Sequence, residues 1–147
     1  MIIELLLTLL AALAPGAAGT AVAAERPEQR GIRVKAIRSE FGRIVADGRG
    51  QAFYLFDKED GRRSECYGAC ADAWPPVLAG GRPVAGKGID PDLLGTTRRS
   101  SGRRQLTYDG RPMYHYIADA PGRILCHDVV EFGGTWLVLR PDGTPAP

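Results

Sequence analysis

The stretch that decides the fold is Tyr114-His115-Tyr116-Ile117-Ala118-Asp119. Residues i and i+2 of a β-strand point to the same face, so the sequence predicts a strand that places Tyr114 and Tyr116 side by side. An acid, Asp119, follows the second ring by three residues. The pattern therefore predicts an aromatic strand that ends close to a carboxylate.

The same pattern occurs once more, upstream, as Tyr54-Leu55-Phe56-Asp57-Lys58-Glu59. In each copy a cysteine follows the first tyrosine by twelve residues, a tryptophan comes later, and Asp-Gly-Arg precedes the tyrosine. The residues concerned are Cys66 and Cys126, Trp74 and Trp136, Asp47 to Arg49, and Asp109 to Arg111. Four agreements in the same order indicate a twofold internal repeat.

Length and composition are typical of one globular domain. The chain has 147 residues, of which 44% are hydrophobic and 24% charged, and its 19 Gly and 11 Pro favour many short strands over long helices. We expect a mainly β, or α+β, fold: a small antiparallel β domain built from two repeats with short helical turns. The predicted organisation is a leader and first strand at 25–41, one domain at 42–143 with repeats at 42–80 and 103–143, and a tail at 144–147.

Three local patterns predict individual elements. Cys66 to Ala73 is a helix candidate, because the prolines after Trp74 disfavour helix. Asp90 to Gly95 predicts one helical turn with Asp90 as the cap and Pro91 first. Thr135 to Arg140 predicts the last strand. Its two faces are both apolar, so we expect it to be central in a sheet.

Residues 1–24 are typical of a secretory signal peptide. An apolar run from Ile2 to Ala14 is followed by small residues that end in Ala21-Val22-Ala23-Ala24, which predicts cleavage after Ala23 or Ala24. Pro15, Gly16 and Gly19 interrupt the run short of the roughly 20 apolar residues that a membrane span needs. We therefore expect a periplasmic or secreted protein with no stable span after cleavage.

The charge balance argues against nucleic acid as a partner. The net charge is +2 and the pI about 8.5, and nucleic-acid binding calls for a clustered basic stripe. The arginines, among them Arg98-Arg99 and Arg103-Arg104, are interpreted as solvated surface.

The three cysteines allow one disulfide bond and leave one thiol. Cys66 and Cys70 would share one helical face with Cα atoms about 6 Å apart, which favours a bridge between them. A bridge from Cys66 to Cys126 is the alternative, because equivalent positions can meet across a pseudo-twofold axis.

Metal or redox handling is the alternative function. His115 and His127 are the only histidines, and with Met113 and Cys126 they offer ligands for copper or zinc. Against it, no His-x-x-x-His spacing is present, and His115 is expected on the surface, opposite the tyrosines. No nucleophile, phosphate-loop or haem motif is found, so no enzymatic activity and no cofactor are predicted.

The six motif residues have a structural interpretation that needs no ligand. The aromatic members are expected in the core, and the two acids are expected to accept hydrogen bonds from loop backbone or from an arginine. The motif residues are Tyr54, Phe56, Glu59, Tyr114, Tyr116 and Asp119.

The chain resembles the secreted bacterial lipoprotein-type repeat of unknown function that is marked by Tyr-x-(Phe/Trp/Tyr)-x-x-Asp. Tyr114, Tyr116 and Asp119 match this motif fully, whereas the first copy has Glu59 in place of the Asp. Blocks at 66–76, 105–114 and 133–136 also resemble the family, and together the resemblance runs from Gly42 to Gly143. The resemblance implies the repeat, the β-rich fold and export. The family has no established activity that could be carried over.

The chain departs from the family pattern in two places. No cysteine precedes Cys66, so there is no residue for lipid attachment, and Cys126-His127 stands where many relatives have Gly-Gln. We expect an exported, non-catalytic binding or envelope-associated module whose partner is an envelope protein or a small ligand.

Overall fold

The computed structural model describes residues 30–147, together with Gly16 and Gly19. The rest of the predicted signal peptide, with its cleavage site after Ala23 or Ala24, lies outside the described residues. In the part that is described, no helix is long and apolar enough to cross a membrane.

Short strands dominate the described chain, which confirms the mainly β class. The strands are β1 (Arg30–Ser39), β2 (Gly42–Asp47), β3 (Tyr54–Phe56), β4 (Arg82–Ala85), β5 (Leu94–Arg98), β6 (Arg104–Tyr108), β7 (Arg111–Pro112), β8 (Val129–Glu131) and β9 (Gly134–Val138). The helical elements are α1 (Ala69–Ala73) and a 3-10 turn (Pro91–Leu93). Both were predicted, and Asp90 caps the second by accepting a hydrogen bond from the Asp92 N–H at 2.9 Å.

The strands form three small sheets, in the orders β2-β1-β4, β3-β9-β8 and β5-β6-β7. β9 is central in its sheet, as its two apolar faces predicted. All pairings between these strands are antiparallel except β1 with β4, which is parallel. The antiparallel expectation is therefore wrong at this one pairing, where the long connection between the strands leaves room for a parallel crossover.

The two halves of the domain repeat the same backbone contacts, each made across to the other half. The Val45 N–H donates to the Leu139 carbonyl at 2.9 Å, and the Leu106 N–H donates to the Val77 carbonyl at 2.8 Å. At the centre, Tyr54 and Tyr114 exchange both backbone hydrogen bonds, at 2.8 and 3.0 Å. The repeats are thus related by a pseudo-twofold axis that passes between these two tyrosines.

The core has two clusters on either side of β3. Tyr54 and Phe56 face the first cluster, which holds both tryptophans and Tyr114, and Leu55 faces the second. This alternation follows from the twofold period of a strand. Both tryptophans, Tyr54 and Tyr114 have no exposed surface. The motif aromatics therefore lie in the core as expected, except that Tyr116 is half-buried and packs against the first cluster.

Three expectations about segments need correction. The stretch from Tyr114 to Asp119 is not a strand: only Tyr114 forms β-bridges, and a turn follows, closed by the Asp119 N–H bonded to the Tyr116 carbonyl at 3.1 Å. The predicted tail packs along β9, with Ala146 buried and its N–H bonded to the Val138 carbonyl at 2.9 Å. The first strand, predicted within 25–41 and outside the domain at 42–143, is β1 and belongs to the domain, because Val34 lies in the core. The leader residues 25–29 lie outside the described residues.

Candidate functional site

The two copies of the motif bond to each other rather than each to itself. The Tyr54 hydroxyl donates to Asp119 Oδ2 at 2.6 Å, and the Tyr114 hydroxyl donates to Glu59 Oε2. Each tyrosine therefore contacts the acid of the other repeat. We call these four residues the interlock. The crossing of its bonds between the repeats was not predicted from the sequence.

Each acid of the interlock also holds the loop that follows it. Glu59 Oε2 accepts the Glu65 N–H at 2.8 Å, and Asp119 Oδ1 accepts the Leu125 N–H at 3.0 Å. Both bonds span six residues, and both were expected in kind, as bonds from loop backbone. In each repeat the loop so held leads directly to the cysteine.

The tryptophans cross between the repeats in the same way. Trp136 stacks on Phe56 with ring centroids 4.1 Å apart, and Trp74 packs on Tyr116 at 4.8 Å. The two indoles stack on each other at 4.1 Å. Because offset and edge-to-face aromatic pairs add to area burial, this column stabilises the contact between the repeats.

Burial sets the electrostatics of the interlock. Desolvation raises the pKa of Glu59 to about 7, although the hydrogen bond from Tyr114 opposes the shift. Burial also raises the pKa of Asp119 and of both tyrosine hydroxyls, so the tyrosines remain protonated donors. Glu59 Oε1 is buried without a hydrogen-bond partner, so no donor stabilises the charge on this oxygen.

Arg99 lies buried beside the first acid, although the arginines were interpreted as solvated surface. Its guanidinium donates to Gln105 Oε1 at 2.8 Å and to the Cys66 carbonyl at 2.7 Å, and it lies over the Tyr67 ring at 4.2 Å. Its positive charge opposes the rise in the pKa of Glu59 that burial causes. Arg99 therefore links the β5–β6 hairpin to the cysteine turn of the first repeat.

The disulfide bond joins Cys66 to Cys70, with Cα atoms 5.3 Å apart, which is the favoured pairing. Cys126 is free and half-buried. Burial and the neighbouring carboxylates of Asp119 and Glu131 raise the pKa of its thiol, while Tyr116 acts in the opposite direction.

The residues of the metal alternative do not converge. Met113 is in the second core cluster, whereas Cys126 packs against the first. His127 accepts the Val138 N–H at Nδ1 and faces the Pro147 carbonyl with Nε2. Among residues 30–147, no group of three or more His, Cys, Asp and Glu side chains is placed to hold a metal ion.

His115 is half-buried, so its predicted surface position is wrong. Nδ1 lies 3.2 Å from the Ala52 carbonyl, Nε2 lies 3.5 Å from Asp47 Oδ2, and the ring packs on Phe53. Burial lowers the pKa of this imidazole. Because His115 faces away from the neighbouring tyrosines, its ring lies against the second core cluster instead of in solvent.

Comparison with known proteins agrees with the internal repeat. A family model described as a secreted repeat of unknown function matches residues 35–78 and 95–140, which together make up more than half of the chain. The two matches overlap the predicted repeats at 42–80 and 103–143. No curated protein and no solved structure matches the chain.

Proposed function

Because the chain belongs to the family of secreted repeats of unknown function, we propose that it is an exported, non-catalytic binding module of the cell envelope. The motif of the family serves as the internal frame of this module. Its ligand or partner contacts a surface outside the motif.

The observation that carries the proposal is the internal use of the interlock. The hydroxyls of Tyr54 and Tyr114 bond to Asp119 and Glu59, and both tyrosines are fully buried. A substrate would have to displace the contacts that hold the two repeats together. Such use of the motif favours a scaffold over a catalytic centre.

The chemistry of the free thiol also favours a non-catalytic role. Nucleophilic cysteines have lowered pKa values, whereas the pKa of Cys126 is raised. The neighbouring His127 has both ring nitrogens engaged with backbone, at Val138 and Pro147, so neither is free to act as a base towards the thiol.

Native mass spectrometry of the full-length chain, expressed in a bacterium and purified from the periplasm, tests the proposal. We expect a mature chain that begins at Ala24 or Glu25, holds one disulfide bond and carries a non-covalent adduct. Full-length protein with Met1 in the membrane fraction would contradict export. Recovery of the bare chain alone would contradict binding.

The same measurement addresses the metal alternative. Near-stoichiometric copper or zinc that Cys126→Ser removes would replace the binding proposal with metal handling. We expect equal metal content in the wild type and in this variant.

A further inference from the structure

The two repeats differ at the outer edge of their first hairpins. β1 in the first repeat corresponds to β5 in the second, because each begins the hairpin that precedes the motif. β4 pairs with the outer edge of β1, but within the described chain no strand pairs with the outer edge of β5. The second repeat therefore keeps an open strand edge that the first repeat has covered.

A groove of about 710 Å³ lies beside β5 and the start of β6. The connection between the repeats forms one wall, from Gly80 to Pro83, and β5 forms the other with Leu94 to Thr96. Three arginines line the groove: Arg82 on the first wall, and Arg103 and Arg104 at the start of β6. No acidic residue is among its lining residues.

Among the residues that the structure describes, no carboxylate pairs with these arginines. Within residues 30–147, the only contact closer than 4.0 Å between a basic and an acidic side chain is that between His115 and Asp47. The Arg104 guanidinium has one side-chain hydrogen bond, to Thr96 Oγ1 at 3.2 Å. Three cations in one concave site attract anions and raise their local concentration.

The spacing of β4 and β5 disfavours a peptide strand added between them, which favours a compact ligand. Cα atoms of β4 and β5 approach within 8 Å of each other. A strand inserted between two others requires about 9.5 Å between them, because neighbouring strands lie about 4.7–4.9 Å apart. The guanidinium fork matches phosphate oxygens in a bidentate manner, and a phosphate monoester carries more charge than one carboxylate.

We propose that the groove between β4 and β5 binds the phosphate group of an anionic ligand through Arg82, Arg103 and Arg104. This inference rests on the proposed function and names the ligand class of the module. The phosphate belongs either to the headgroup of an anionic phospholipid or to a soluble phosphate ester. Leu78 and Leu94 supply apolar contact for the rest of the ligand.

The test compares two double variants of the same charge. Arg82→Gln with Arg103→Gln removes two cations from the groove, and Arg63→Gln with Arg123→Gln removes two exposed cations elsewhere. All four side chains are exposed, so we expect both variants to retain the wild-type melting temperature. The probes are glycerol 1-phosphate, followed by calorimetric titration, and phosphatidylcholine vesicles with or without phosphatidylglycerol, followed by co-sedimentation.

We expect the wild type to bind one of the probes and the groove variant to bind it at least about tenfold more weakly, as the loss of charge-assisted hydrogen bonds implies. The affinity of the control variant should stay within about twofold of that of the wild type, because salt and solvent screen the attraction between distant exposed charges and the ligand. Binding of glycerol 1-phosphate identifies a soluble ester, and binding to the anionic vesicles alone identifies a headgroup.

Equal weakening in the two variants would overturn the inference, since it would indicate general surface charge. Failure of the wild type to bind either probe would also overturn it. If the groove variant keeps the adduct after purification from the periplasm, the groove is not the binding site, and the proposed function still stands. If the wild type carries no adduct and binds neither probe, both the groove inference and the proposed function are wrong.

Discussion

The two repeats place the same motif in different surroundings. In the first, Glu59 is buried, and one of its oxygens lacks a partner, with Arg99 nearby; in the second, Asp119 is half-buried. Cys66 is tied to Cys70 beside α1, whereas its counterpart Cys126 is a free thiol that precedes β8. The contacts across the pseudo-twofold axis are shared, and the segment between cysteine and tryptophan differs.

Chain length explains where the repeats diverge. In the first repeat Trp74 follows Cys66 by eight positions (74 − 66), and in the second Trp136 follows Cys126 by ten (136 − 126). The shorter segment forms a helical turn that prolines end, and the longer one forms the edge strand β8. A repeat can therefore exchange this segment provided that the tryptophan still reaches the aromatic column.

The largest expected effect is loss of either tryptophan. Trp136→Ala and Trp74→Ala should each lower the free energy of unfolding by about 3–5 kcal/mol, as large core truncations do. The two losses should be similar, because each indole contacts three other rings: Phe56, Trp74 and Tyr114 for Trp136, and Tyr54, Tyr116 and Trp136 for Trp74. Urea unfolding of each variant measures the two losses.

The exposed Val130 provides the matched control for this comparison. Val130→Ala should change stability by less than about 0.5 kcal/mol, because the side chain is 74% exposed. A melting temperature unchanged by Trp136→Ala would contradict the assigned core.

The pH dependence of stability should separate the two acids. Glu59 has an ordinary pKa of 4.5 and a folded pKa of about 7, so the folded chain keeps a proton that the unfolded chain has lost. This contribution is fully present below pH 4.5 and is lost as the pH rises through about 7, which amounts to about 3 kcal/mol. Glu59→Gln should flatten this slope, which urea titrations across that range measure.

Asp119→Asn is the control from the other repeat. The pKa of Asp119 is raised in the same direction, but this variant leaves Glu59 intact, so the loss of stability towards pH 7 should persist. An equal slope in the wild type and in Glu59→Gln would show that Glu59 is not the group responsible.

Removing one interlock hydroxyl should have a smaller effect, and an unequal one. Tyr114→Phe takes a donor from the buried Glu59 and should cost about 1–3 kcal/mol, the range for a buried group that loses its partner. Tyr54→Phe should cost less, because water can replace the hydroxyl at the half-buried Asp119. Chemical denaturation at neutral pH measures both losses of stability. A larger loss for Tyr54→Phe than for Tyr114→Phe would contradict the comparison.

The smallest effect is expected from reduction of the disulfide bond. Cys66 and Cys70 are four residues apart, and so short a loop contributes at most about 2 kcal/mol by chain entropy. Before reduction, an alkylating reagent should label Cys126 alone, slowly because the pKa of its thiol is raised. Peptide mapping checks this, and a peptide that joins Cys66 to Cys126 would refute the pairing.

Patterns of short range made much of the fold predictable. Aromatic residues at i and i+2 mark the buried face of β3, two apolar faces mark the central β9, and cysteines four residues apart mark the bridge. These features depend on neighbours along the chain, whose geometry the backbone restricts to a few forms. The burial of Trp74 and Trp136 follows from their size and apolar character.

Contacts between distant segments were not predictable in the same way. The parallel pairing of β1 with β4, the burial of Arg99 and the half-buried His115 each depend on which segment packs alongside. An arginine or histidine has the same local pattern in solvent and in the interior. Only its partners, Gln105 and Cys66 for Arg99, or Asp47 and Ala52 for His115, decide between the two.

The sequence by itself determined that this protein contains two copies of one unit, that their aromatic residues form its core, and that Cys66 can pair with Cys70. Only the tertiary structure shows that each tyrosine bonds to the acid of the other copy. Each tyrosine could bond equally well, by its chemistry, to the acid five residues later in its own copy. The tertiary structure also decided that β4 covers β1 and leaves β5 open. Chain connectivity supplies one linker between the two copies, and that linker can cover only one of two equivalent edges.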